Sequence, residues 1–257
     1  MSTDHLLEVD RVTVRFGGIS ALSELSFAVR ANEIYGVIGP NGAGKTTLFN
    51  CLSRLYTPTS GDIRIGGQSV LGEPSHRMAA LGIGRTFQNV ALFNTMSVRD
   101  NVMTGGHSTT HSGFVRNIFR AASARREEGV LGAYSDRLIA LMELSEHAQR
   151  PVSELPFGVR KRVELARAMA THPRLLLLDE PAAGLNHEEL ETLKRTILML
   201  RKDTGTAVLL VEHHVGMVMA LSDRIVTLNF GKKIAEGTPQ EIQAHPEVIN
   251  AYLGTPQ

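Results

Sequence analysis

The chain of 257 residues contains a single cysteine, Cys51, so no internal disulfide can form and a reducing compartment suits it. Net charge is nearly absent as well: 27 Lys and Arg against 26 Asp and Glu leave +1. That balance excludes a whole-molecule field for nucleic acid or anionic membrane, and any charge-driven contact must be local. No apolar run approaches the roughly 20 residues that a membrane-spanning helix needs. The opening MSTDHLLEVD lacks the basic-then-apolar pattern of a secretory signal. From these absences a cytoplasmic chain is expected, with any membrane contact peripheral. Disorder is excluded by a composition that is 42% hydrophobic and 21% charged, ordinary for one large globular domain or two small lobes. Cys51 falls in a helix-compatible stretch, where a small buried apolar role is expected rather than reactivity.

What the chain does contain is concentrated first in residues 33–52, EIYGVIGPNGAGKTTLFNCL. The pattern G-x-x-x-x-G-K-[ST] is met by Gly39, Gly44, Lys45 and Thr46, directly after an apolar strand and before a helix-compatible run. Between the glycines lie Pro40, Asn41, Gly42 and Ala43, and Thr47 follows. Such a loop turns backbone N–H groups toward one point, where the positive end of the next helix already favours an anion. Lys45 would reach β- and γ-phosphates. Thr46 offers a hydroxyl oxygen suited to Mg²⁺, a hard ion that keeps most of its waters and shares phosphate oxygens as ligands.

Residues 6–30 alternate apolar and polar positions, as in Val12, Val14 and Phe16 and then Leu25, Phe27 and Val29, which predicts two half-buried strands about the turn Gly17-Gly18. A third short strand over 62–65 would complete an antiparallel β lobe. Phe16 has two readings, a core side chain or a flat ring offered to a purine. From about 89 to 157 the apolar spacing turns helical (Leu138, Ile139, Leu141, Met142) and no strand is indicated. Within it, Arg116, Arg120, Arg125 and Arg126 surround Ile118 and Phe119. That basic piece could meet lipid headgroups or an acidic partner loop, or be a solvated helix face. His107 and His111 have the spacing of a metal pair. No carboxylate or cysteine joins them, and since metal sites need three or four ligands, none is expected there.

The α/β pattern then returns. The aliphatic run 175–178 ends in Asp179-Glu180-Pro181, and 207–211 ends in Glu212-His213-His214. Continuous apolar runs indicate parallel strands buried on both faces. Leu190, Leu193, Ile197 and Leu200 mark a crossover helix between them. Ligands of such sheets gather at the carboxyl ends of the strands, so the loop 39–46, Asp179, Glu180 and His213 are expected to converge. There Asp179 would hold the Mg²⁺ shell, and Glu180 would orient and deprotonate an attacking water. His213 would steady the γ-phosphate or the water, or simply end the strand. A hairpin about Phe230-Gly231 and a helical end to Leu253 complete an α/β P-loop NTPase pattern: a parallel core sheet, an antiparallel β subdomain and a helical subdomain.

In this order, the P-loop, TFQN around Gln88, LPFGVRKRVELARA, LLLLDEP, AAGLN and VEHH resemble the ATP-binding subunit of an ABC transporter, over nearly the whole chain. The resemblance implies one ATP-binding domain over 1–257. Its parts are a β lobe with the P-loop core over about 6–88, a helical subdomain over about 89–157, and the rest of the core from about 158. It implies ATP and Mg²⁺ as cofactors, with Phe16 stacking on adenine. Gln88 becomes the loop residue that senses Mg²⁺ and the membrane partner, and His213 the switch histidine beside Glu180 and Lys45. Gly158 would face the γ-phosphate bound by a second subunit, identical or paralogous, in a head-to-tail dimer. Transmembrane permease subunits and, indirectly, a solute-binding protein are the other implied partners, nucleic acid is not, and the place is the cytoplasmic face of the cell membrane.

AAGLN, the helical insert and the ending EGTPQEIQAHPEVINAYLG are most similar to importers of branched-chain and other hydrophobic amino acids, a branch in which amides and urea are also carried. Two departures from the family pattern stand out. The usual L-S-G-G-Q loop reads Leu155-Pro156-Phe157-Gly158-Val159, and Asn186 and His214 replace the usual aspartates. These touch the efficiency of the site shared with the partner. Two other functions compete: a soluble ABC-type ATPase of DNA repair or translation, and a clamp that barely hydrolyses. Near-neutral charge and the single-cassette length weigh against the first, and intact Lys45, Asp179, Glu180 and His213 against the second.

Overall fold

Strand β1 (His5–Phe16) and strand β2 (Ile19–Arg30) pair antiparallel about Gly17-Gly18 in the computed structural model, which describes residues 5–86, 91–106 and 121–253, except the side chains of 121–128 and 253. The other edge of β1 takes β4 (Ser60–Ile65), and β5 (Gln68–Ser69) extends the sheet in the order β2-β1-β4-β5. Val9 stands opposite Phe27 on one side and Ile63 on the other, all buried. The predicted alternation thus becomes one apolar face of this sheet.

The second sheet has six strands. It contains β3 (Ile34–Ile38), β6 (Ile83–Arg85), β7 (Leu175–Asp179), β8 (Ala207–Val211), β9 (Arg224–Asn229) and β10 (Lys232–Gly237), in the order β10-β9-β3-β8-β7-β6. All neighbours are parallel except the hairpin of β9 and β10. Because successive side chains alternate, each continuous aliphatic run serves two cores. Ile34, Ile38, Leu176, Leu178, Val208 and Leu210 join one cluster, and Tyr35, Val37, Leu175, Leu177, Leu209 and Val211 the other. The second cluster lies between this sheet and the β lobe, and there helix α1 (Lys45–Leu52) buries Leu48, Phe49, Cys51 and Leu52. Burial pushes the Cys51 thiol up to about 11, which leaves it unreactive, as expected.

The first cluster holds the helices. From α2 (Val98–Gly106), α3 (Ala121–Leu141) and α4 (Phe157–Met169) come Val98, Val102, Leu138, Val163 and Met169. Crossover helix α5 (His187–Thr204) buries Leu190, Leu193, Ile197 and Leu200, one stripe of its surface. It starts with a capping box in which Asn186 Oδ1 accepts from the Glu189 N–H at 2.9 Å and Glu189 Oε2 accepts from the Asn186 N–H at 2.9 Å. Helix α6 (Val215–Leu221) packs on β3, and α7 (Pro239–Ala244) and α8 (Pro246–Leu253) follow the hairpin. The strands about Gly17-Gly18 and Phe230-Gly231, the crossover unit and the helical end match the sequence pattern. Strand β6 does not appear in that pattern: its three residues are recruited by pairing with β7, helped by the Thr86 N–H donating to Leu177 O at 3.0 Å. Gln88, His107, His111, Arg116 and Arg120 lie outside the described residues, as do the side chains of Arg125 and Arg126.

One position in the central strand is set by close approach rather than by propensity. A Cβ placed on Gly36 would lie 2.4 Å from Val218 Cγ1 and 2.7 Å from Ser222 Oγ, so α6 can sit on β3 because residue 36 has no side chain. Gly36→Ala should therefore destabilise the protein by about 1 to 3 kcal/mol. Adding Val218→Ala should return part of that loss in denaturant unfolding, and independent, additive losses would refute the contact as the cause.

Candidate active site

Parallel register brings the chemistry together. Val211 at the end of β8 is opposite Val37 of β3 on one side and Asp179 of β7 on the other, so residues 39, 180, 212 and 213 all leave the sheet at one edge. At that edge the loop 39–44 turns into α1. Gly44 is the N-cap at φ 99, a left-handed conformation, and a Cβ on it would meet Ala21 O at 2.5 Å. No side chain caps α1, and its first turn carries no acidic residue. The N–H groups that open the helix are therefore presented without a competing carboxylate.

Lys45 is buried and folds back over this loop. Its Nζ donates to Gly39 O at 2.6 Å and to Pro40 O at 3.0 Å. Burial lowers its pKa, against the opposing pull of the Glu180 and Asp179 carboxylates, which puts the ammonium within the field of both. Asn41, Gly42 and Thr46 are exposed, Pro40 and Thr47 are half-buried, and Ala43 is buried. The Ala43 carbonyl accepts from the Gly231 N–H at 3.1 Å, tying the loop to the β9–β10 hairpin.

Asp179 is 4% exposed, and burial raises its pKa, opposed mainly by Arg85. Arg85 Nη2 donates to Asp179 Oδ2 at 3.0 Å, and its Nη1 donates to Asn50 Oδ1 on α1 at 3.1 Å and to Ser53 Oγ at the C-cap of α1 at 2.8 Å. One guanidinium thus links the strand-end carboxylate to the helix of the phosphate loop. Glu180 is mostly buried and adopts φ 49, a strained conformation for a non-glycine residue of the kind that clusters at active sites. Its N–H donates to Val211 O at 2.9 Å, and its Oε1 meets His213 Nε2 at 2.5 Å. An open cleft of about 360 Å³ lies beside this pair, lined among others by Ala182, Leu190, Glu212 and His214.

Phe16 is 49% exposed, with Tyr56 set edge-on to its ring at 5.3 Å. The core alternative for Phe16 is thereby corrected: the ring is held upright at the end of β1 rather than buried. Gly158 is not at the phosphate edge. It is buried in the first turn of α4, where a Cβ would lie 2.3 Å from Glu189 Oε1, and it lines a separate cavity of about 180 Å³ with Lys161, Glu188 and Glu189. Helix α4 begins at Phe157 with Pro156 as N-cap, so Gly158 lies inside the helix rather than ahead of it. The two replaced aspartates both cap helices: Asn186 opens α5, and His214 Nδ1 accepts from the Met217 N–H at 3.1 Å to open α6.

Sequence reasoning left Arg85, Glu212 and Tyr252 without a role. Arg85 could have been found from the need of a buried Asp179 for a counter-ion. Glu212 could have been found from its place between an apolar strand and His213. Burial pushes the Tyr252 hydroxyl up to about 12, against a hydrogen bond from the Gly39 backbone, so the C-terminal helix reaches the phosphate loop. Among the described residues no group of three or more His, Cys, Asp or Glu could hold a metal ion. The Asp179 carboxylate and the Thr46 hydroxyl fit instead a hard cation that brings its own waters and shares phosphate oxygens.

Known proteins share this arrangement. The family model described as ABC transporter matches residues 22–183, and one described as branched-chain amino acid ATP-binding cassette transporter matches residues 232–256. The high-affinity branched-chain amino acid transport ATP-binding protein BraF of Pseudomonas aeruginosa is 43% identical over 97% of this chain and 98% of its own length. The corresponding protein LivG of Escherichia coli is 42% identical over the same shares. Among solved structures, the ADP conformation of MJ1267, an ATP-binding cassette of an ABC transporter, superposes with a TM-score of 0.84 at 26% identity, over 98% of this chain and 100% of that one. A dimeric post-hydrolysis cassette, MJ0796 bound to ADP and Pi, shares the fold with a TM-score of 0.74 at 23% identity, over 91% and 98% of the two chains. This chain belongs to the ABC transporter family, as one of its ATP-binding, ATP-hydrolysing cassettes.

Proposed function

We propose that this cassette energises the import of branched-chain or other hydrophobic amino acids, with amides and urea as chemically related alternatives. The observation that carries the catalytic part is the meeting of Lys45, Asp179 and the Glu180–His213 pair at one sheet edge beside the uncapped start of α1. The solute class is supported by the branched-chain amino acid transport proteins among the relatives and by the match at residues 232–256. Separate permease subunits are its membrane partners in this reading; no described helix is long and apolar enough to cross a membrane. The cassette then works at the cytoplasmic face of the membrane, peripherally. It pairs head-to-tail with a second cassette, identical or paralogous, and a solute-binding protein acts indirectly. We treat the chain as one functional unit, with the β lobe and P-loop core over about 6–88, helical residues over about 89–157, and core completion beyond.

Each side chain then has a task. Lys45 exchanges its carbonyl partners for the β- and γ-phosphate oxygens of ATP, while the N–H groups of 42–47 turn toward the same anion. Phe16 presents its exposed ring to adenine. Thr46 and Asp179, with Gln88, would hold Mg²⁺, which when bound neutralises charge on the bridged phosphates. Glu180 takes a proton from the attacking water, and His213, with its Nε2 on the carboxylate, keeps that base aimed. Gly158 and the start of α4 serve the partner's nucleotide rather than this chain's own.

Three outcomes test this reading. Lys45→Ala should weaken ATP binding about tenfold to a hundredfold in titration calorimetry, the value of a charge-assisted contact, and unchanged affinity would sink the phosphate-loop assignment. Glu180→Gln should keep ATP and Mg²⁺ bound while turnover drops at least about a hundredfold; retained turnover in the purified variant removes Glu180 from its role. In proteoliposomes containing the co-purified permease and binding protein, leucine, isoleucine or valine should stimulate ATP hydrolysis. Stimulation by an amide or urea but by none of the three would move the solute to that class.

A further inference from the structure

The Glu180–His213 pair is held by a residue outside it. Glu212, the first residue after β8, is 3% exposed, and its two oxygens serve different loops. Oε1 accepts from the Ala182 N–H at 2.6 Å, in the turn that follows β7. Oε2 accepts from the N–H groups of His213 at 2.9 Å and His214 at 3.3 Å, in the loop that follows β8. The turn at Ala182 is the one that carries Glu180, for the Ala183 N–H donates to Glu180 O at 3.1 Å. Glu180, Ala182, Glu212 and His213 therefore form a closed ring of contacts.

We propose that Glu212 is a positioning residue of the hydrolytic site, whose carboxylate bridges the loops after β7 and β8 and so fixes Glu180 Oε1 on His213 Nε2. The inference rests on the reading of Glu180 as the base. Its physical ground is the donor count and the span. A buried carboxylate needs several donors, and one loop could have supplied them. Here the donors are divided between the two loops whose side chains must meet. Removing either half leaves the other loop anchored and releases the geometry between them.

Two variants separate this role from general stability. Glu212→Gln keeps the shape but turns one oxygen into an NH2 group facing backbone N–H donors, so one loop is freed. Glu212→Asp keeps the charge but is one methylene short, so it stays with its sequence neighbours His213 and His214 and loses Ala182. In the assembled transporter each variant should lower kcat about tenfold, as a small misplacement of reacting groups does. KM for ATP should change less than about twofold, because Lys45 and the phosphate loop are untouched. Repeated in a His213→Ala background and read by single-turnover hydrolysis, Glu212→Gln should cost no more than about twofold further, since the pair it positions is already broken. An equal tenfold loss in both backgrounds, or a parallel rise in KM, would reduce Glu212 to a structural anchor and overturn the proposal. So would an unchanged kcat in both Glu212 variants beside an inactive Glu180→Gln control, which leaves the site reading intact. Turnover retained by that control would instead remove the reading on which the proposal rests.

Discussion

The whole site depends on the register of β7 between β6 and β8, and hydrophobicity alone cannot set it. The run 175–178 is four leucines, so a slip of one residue would still leave leucine at three of its four positions. Polar ends decide. The N–H groups of Arg174 and Leu175 both donate to Gly82 O, at 2.8 and 3.0 Å, and the Thr86 N–H donates to Leu177 O at 3.0 Å. At the far end Asp179 must meet Arg85. A slipped strand would leave that carboxylate either buried without its guanidinium or displaced from the edge that holds the phosphate loop. The cost of an unpaired buried charge, about 3 to 5 kcal/mol, exceeds what any rearrangement of equivalent leucines could return.

Buried charge is the recurring expense of this edge, and each ion is matched in a different way. Lys45 is held by neutral carbonyl dipoles, Asp179 by a guanidinium, and Glu212 by three backbone N–H groups. Buried charged groups add little to stability compared with apolar packing, so three of them at one edge point to chemistry rather than folding. The partners of Lys45 are the instructive ones. Hydrogen bonds to a charged acceptor are about twice as strong as those to a neutral one, so the ammonium gains by leaving Gly39 O and Pro40 O for phosphate oxygens. Burial lowers its pKa and raises that of Asp179, against the nearby opposite charges that hold both groups in place.

Much of this was legible in the sequence where backbone and chemistry are contiguous. The phosphate loop needs its glycines, lysine and helix within a dozen residues, and Asp179-Glu180 follows its own strand, so local pattern suffices. Arg85 was not legible because its partner lies 94 residues away, and Glu212 because the second loop it serves is 30 residues distant. Strand β6 has three residues, too few for a period of two to show, and exists because β7 offers it an edge. Phe16 left two readings open until its exposure was known. Gly158 marks another limit: a lone glycine gives no sign of which neighbour requires it, and here a Cβ at 158 would meet Glu189. That carboxylate also closes the capping box at Asn186, so the start of α5 lies against the start of α4.

The replaced aspartates can be understood by counting charge at the β8 edge. A cap of about 1 kcal/mol can come from an amide or from a neutral ring nitrogen as well as from a carboxylate, and Asn186 and His214 supply it. Helix α6 therefore does not require aspartate at 214. What aspartate would add is a second negative charge two residues from Glu212, whose own oxygen accepts the His214 N–H. A second carboxylate beside Glu212 would repel the first, and that repulsion would act against the bonds that join the two loops. A cap without a carboxylate at 214 leaves Glu212 as the acceptor that holds both loops. The departure at 214 and the acid at 212 are thus one arrangement: the carboxylate lies inside the fold, where it joins the loops of Glu180 and His213, instead of at the helix cap.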